Sequence, residues 1–153
     1  MKRAGLALCL ALSMAAGIAS ADPLTGKWTL NVGRTHYGGG AEPRKQETFA
    51  CEAEKQLLRC TITSRRLDGK RVVGTFAAAF DGKAYAVRGI PDVDGVSLRE
   101  IDDHVADATF THNGRPVFGY RAIKSDDGRS LIIVSVDPTS RAVLNSTVVY
   151  DRQ

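Results

Sequence analysis

The feature that most constrains this chain is its punctuation. From residue 25 onward, short segments of alternating or β-branched composition are divided by turn sequences, and no stretch carries a long helical period. Asp68-Gly69, Asp81-Gly82 and Asn113-Gly114 supply the positive φ angles of tight hairpins. Asp102-Asp103, Ser125-Asp126-Asp127-Gly128 and Asp137-Pro138-Thr139-Ser140 mark further turns. Between these marks the pattern predicts ten strands: 25–32, 46–52, Leu57–Arg66, 71–80, 83–87, 96–101, Val105–His112, 116–124, Ser130–Val136 and 143–150. Connections this short make neighbours in sequence antiparallel partners. A meander of that length leaves two exposed edges unless it closes on itself. The expected fold class is therefore all-β, an antiparallel up-and-down barrel of about eight to ten strands.

Residues 1–21 read as a signal peptide. Lys2 and Arg3 open it, Leu6 to Ile18 is its apolar core, and Ala19-Ser20-Ala21 is a small-residue cleavage site. The apolar run falls short of the roughly 20 residues of a membrane span. Leu8 before Cys9 argues against a lipid anchor. The expectation is a periplasmic or secreted protein with no stable membrane insertion. Residues 22–153 then make one domain. Lys2 and Arg3 account for two of the 21 basic residues and none of the 17 acidic ones, so this domain carries +2 rather than the formal +4 of the whole chain. Its charges alternate along the chain, and a nucleic-acid footprint needs a basic stripe. None is present.

Cys51 and Cys60 are the two cysteines of the domain. An even, closely spaced pair in an exported protein favours a disulfide across a hairpin centred near Glu54-Lys55. No histidine or further cysteine lies nearby at metal-ligand spacing. Closing a loop of this size would stabilise by roughly 2.7 kcal/mol on the chain-entropy model.

Catalytic signatures are missing. Gly38-Gly39-Gly40 lacks the lysine and helix of a phosphate loop, so the stretch from Gly33 to Pro43 reads as a connection forming a lip over a cavity mouth. His36, His104 and His112 stand outside any metal spacing, no nucleophile elbow occurs, and the paired aspartates are turn residues. No enzyme activity, cofactor or metal is expected. Asn145-Ser146-Thr147 has the form of a glycosylation site but falls inside a strand segment.

A barrel of ten strands has room inside for a small ligand. The small residues of Gly74 to Ala79 either widen that space or permit tight packing. Candidate lining residues are Phe76, Phe80, Tyr85, Phe110, Phe118, Tyr120 and Tyr150. Phe118 and Tyr120 lie on the face opposite Arg121, which becomes a lining residue if the other face turns inward.

The chain also resembles the calycins, the superfamily of lipocalins and fatty-acid-binding proteins, and in particular the small exported bacterial lipocalin-like proteins of unassigned function. Gly26-Lys27-Trp28 has the Gly-x-Trp form that opens the first lipocalin strand, and Val149-Tyr150-Asp151-Arg152 is similar to the close of the last strand in fatty-acid-binding proteins. The bacterial proteins share the start from Gly26 to Asn31, the block from Asp81 to Gly89 and the turn from Ser125 to Leu131. The resemblance implies that Gly26, Trp28 and Arg152 are structural: the tryptophan seals the barrel floor beneath a cation–π contact from the chain end. It departs at the last strand. Fatty-acid-binding proteins grip a carboxylate with Arg-x-Tyr there, whereas this chain reads Val148-Val149-Tyr150. The implied function is non-catalytic binding of a small hydrophobic or amphipathic ligand by a monomer. The alternative is a periplasmic interaction factor, an inhibitor or envelope-stress protein, that uses loops on a filled barrel to meet a protein partner.

Overall fold

A computed structural model describes residues 22–39 and 41–153. The leader expected at 1–21 lies outside the described residues. Ten strands follow one another: β1 (Gly26–Leu30), β2 (Arg44–Glu54), β3 (Leu57–Arg66), β4 (Arg71–Ala78), β5 (Tyr85–Arg88), β6 (Gly95–Glu100), β7 (Val105–His112), β8 (Arg115–Lys124), β9 (Ser130–Val136) and β10 (Val143–Arg152). Each pairs antiparallel with the next, and β1 pairs with β10 to close the barrel. The up-and-down barrel expected from the turn pattern is the observed fold, and its architecture is compatible with a calycin-like one.

Alternation along β2 and β3 sets Cys51 directly opposite Cys60, and the two form a disulfide. Lys55 takes a positive φ of 57° to turn that hairpin. At the closed end Trp28 is 0% exposed, and its indole Nε1 donates to the Leu24 carbonyl at 3.0 Å. The Arg152 guanidinium carbon lies 5.1 Å from the Trp28 ring centroid. Gly26 leaves space for both, since a Cβ there would come within 3.2 Å of the guanidinium. The aromatic plugs the end and the cation covers its outer face.

Several strand limits differ from expectation by one or two residues, and two of these differences matter. β4 stops at Ala78 instead of running to residue 80. Asp81 accepts hydrogen bonds from the Lys83 backbone N–H at 3.0 Å and the Tyr85 hydroxyl at 2.9 Å, a turn that takes Phe80 off the ladder. β2 starts at Arg44 and not at 46, with a register shift against β3 between Arg44 and Gln46. An extra residue in a strand resets which side chains face inward. Arg44 and Glu47, three apart and so on opposite faces of a regular strand, meet on the same side here, where they form an ion pair.

The five odd-numbered connections, from β1–β2 to β9–β10, gather at the end opposite Trp28. The β1–β2 connection first runs along β10: His36 and Thr147 exchange two backbone hydrogen bonds of 2.8 Å each. A Cβ on Gly38 would stand 1.8 Å from the Asn145 carbonyl oxygen, so the close approach to β10 requires glycine.

Candidate functional site

The barrel encloses a cavity of about 540 Å³, within the range of small-molecule sites. Its inner wall is mostly apolar, with Phe49, Ile62, Ile133 and Val148 among the lining side chains. An aromatic ladder crosses it. Phe76 meets Phe110 edge-to-face with centroids 6.1 Å apart, Phe110 meets Tyr120 likewise at 5.8 Å, and Tyr120 stacks on Phe118 at 6.4 Å. Such pairings favour these ring orientations. Phe118 stands at the rim, 48% exposed.

Small residues of β4 serve packing as well as space. The position of a Cβ on Gly74 is occupied by the Ile90 side chain, 2.4 Å away, so the β5–β6 connection fills the room that Gly74 leaves. Leu24 reaches the cavity, whereas Trp28 does not line it.

A polar cluster interrupts the apolar wall. Arg44 Nη1 donates to Glu47 Oε1 at 2.8 Å, and the Tyr150 hydroxyl donates to the same oxygen. Glu47 is 6% and Tyr150 4% exposed. Burial pushes the Glu47 carboxyl above its ordinary value, against the opposing pull of the Arg44 charge and the Tyr150 hydrogen bond. Burial also raises the Tyr150 phenol far above the usual tyrosine range, and the Glu47 charge adds to this while Arg44 works against it. Tyr120 is raised for the same first reason. Burial disfavours the Arg44 cation, but Glu47 and the surrounding tyrosines more than restore it. The cluster is thus a contact ion pair capped by a neutral phenol.

Two hydroxyls on the cavity lining, those of Tyr37 and Ser146, are buried without a well-formed hydrogen bond among the described residues. Ser146 shares the inward face of β10 with Val148 and Tyr150 and is 1% exposed. One step beyond the His36–Thr147 bridge, the antiparallel register sets Tyr37 opposite Ser146.

Of the residues expected to line the cavity, Phe76, Phe110, Phe118, Tyr120 and Tyr150 do so. Phe80, Tyr85 and Arg121 do not. Phe80 and Tyr85 pack against the core near the β4–β5 turn, at the closed end. Arg121 points outward and binds Asp107 through two hydrogen bonds of 2.8 and 3.0 Å. Tyr37, Arg44, Glu47 and Ser146 were not anticipated. Glu47 alone carried a signal, being an acid in the same alternation phase as Phe49 and Cys51. The nearest approach to a metal-ligand set among the described residues is Asp102-Asp103-His104, in the exposed β6–β7 turn.

No family model, curated protein or solved structure matches this chain.

Proposed function

We propose that this is an exported, non-catalytic, calycin-type carrier that holds one small hydrophobic or amphipathic molecule inside the barrel. The observation that carries the reading is the cavity of about 540 Å³, walled by aromatic and aliphatic side chains and reached from the end opposite Trp28. Apolar ligand surface buried there would contribute roughly 25 cal/mol per Å² before the costs of association. The Cys51–Cys60 disulfide is compatible with the oxidising compartment that an exported protein enters. A loop-acting interaction factor has no need of such a space.

Native mass spectrometry of protein purified from its own cell envelope tests the proposal. The expected result is a co-purifying mass of lipid or small-molecule size that is lost on unfolding. Protein that arrives empty, and that also fails to take up a neutral hydrophobic dye such as Nile red, would overturn it.

A further inference from the structure

Every charged side chain on the cavity wall already has a counterion. Arg44 pairs with Glu47, and Arg66 pairs with Glu42 at the rim. Asp107 holds both Arg121 and Arg141, at 2.8 and 3.2 Å. The hydroxyls of Tyr37 and Ser146, by contrast, are buried there without a well-formed hydrogen bond among the described residues, the Tyr37 oxygen feeling only the Arg44 backbone N–H. The wall therefore offers unfilled hydrogen bonds and no unfilled charge. On this geometry we propose that the cavity selects an uncharged amphiphile, one whose apolar body lies against the Phe76–Phe110–Tyr120 ladder and whose neutral oxygen-bearing head, a hydroxyl or carbonyl, bonds to Tyr37 and Ser146.

This rests on the carrier reading and narrows it to a ligand class. An anionic head entering the barrel gives up its hydration. The cation that would compensate it, Arg44, is already bound to Glu47, which would repel the newcomer at short range. A cationic head meets Arg44 in the same way. A hydroxyl pays a far smaller desolvation cost and recovers it from Tyr37 and Ser146, each able to donate and to accept. Glu47 is thus the residue that sets ligand charge, acting by neutralising Arg44 rather than by touching the ligand.

Displacement of Nile red from the full domain by lauryl alcohol, laurate and laurylamine, which share one carbon chain, tests the idea. At about pH 8 the acid is anionic and the amine largely cationic. Lauryl alcohol is expected to displace the dye at roughly one-tenth the concentration needed for either charged analogue. Laurate or laurylamine binding as tightly as the alcohol overturns the inference and leaves the carrier reading in place. Dye that binds but yields to none of the three does the same. A protein that binds neither dye nor lauryl compounds sinks both.

The near-isosteric Glu47→Gln variant keeps an acceptor for Tyr150 but leaves Arg44 without its carboxylate. It should move the laurate-to-alcohol preference about tenfold toward laurate. An unchanged ratio in folded E47Q protein removes Glu47 from the account. Tyr37→Phe, which deletes the Tyr37 hydroxyl and leaves the ion pair intact, should weaken the alcohol alone, and equal binding of the alcohol by Y37F counts against the head-group site.

Discussion

Glu47 and Asp107 sit in one barrel with opposite proton linkage, and the difference comes from how each is paired. Burial lifts the folded-state titration of Glu47 above its unfolded value, despite Arg44 and Tyr150. Its contribution to stability is then full below the unfolded value and is lost as pH rises through the folded one. Asp107 also feels burial, which raises it. The Arg121 hydrogen bond and the charges of Arg141 and Arg121 outweigh that and hold its carboxyl below the ordinary range. Its contribution is present above the unfolded value near pH 4 and is lost as pH falls through the depressed one. Thermal melts across pH should show both limbs. E47Q should flatten the loss on the rising side, above Glu47's ordinary range. Asp107→Asn should lose the acid-side limb and cost about 1–2 kcal/mol at neutral pH, the low end for charge-assisted bonds because both arginines are part-exposed. A wild-type melt insensitive to pH on both sides of the ordinary carboxylate range would contradict both assignments.

At the scale of the strand and turn, period-two alternation and turn chemistry were enough to read the ladder. Asp-Gly and Asn-Gly pairs place reversals with little ambiguity, and the chain follows them. What alternation cannot reveal is its own interruption. The register shift of β2 against β3 that brings Arg44 beside Glu47 left no local mark in the sequence. A strict two-residue period assigns Arg44 to a loop, so the chemical centre of the cavity stayed hidden while its aromatic wall did not. Tyr37 was illegible for a related reason: it belongs to no strand, and only the run of the β1–β2 connection along β10 brings it to the lining. Phe80 and Tyr85 fall outside the lining, because alternation gives a face but not a depth. The β2–β3 hairpin offers a separate check. Cys51 and Cys60 are fully buried yet do not line the cavity. The double variant C51A/C60A should lose about 2–3 kcal/mol in denaturant unfolding with unchanged dye affinity, and a parallel fall in affinity would show that the hairpin shapes the site.

For the molecule as a whole, closure depends on the two strands farthest apart in sequence. β1 and β10 share only three register pairs, Trp28↔Arg152, Thr29↔Asp151 and Leu30↔Tyr150. The join is carried further by the β1–β2 connection, through Asn31 donating to Val149, His36 bonded to Thr147, and Gly38 against Asn145. The same connection then supplies Tyr37, Gly38, Gly39 and Ala41 to the cavity lining. Door and seam are one piece of chain. A guest held by Tyr37 would therefore bear on the join as well as on the mouth. Amide exchange makes this visible, because local opening exposes only the bonds it breaks. The His36 and Thr147 amides should exchange faster than those of β3 and β7 in empty protein, and should slow most when the cavity is filled. Equal slowing across the whole ladder would mean that entry takes another route. A zip whose last teeth are also its handle lets a single event, the arrival of a guest, report itself at the join.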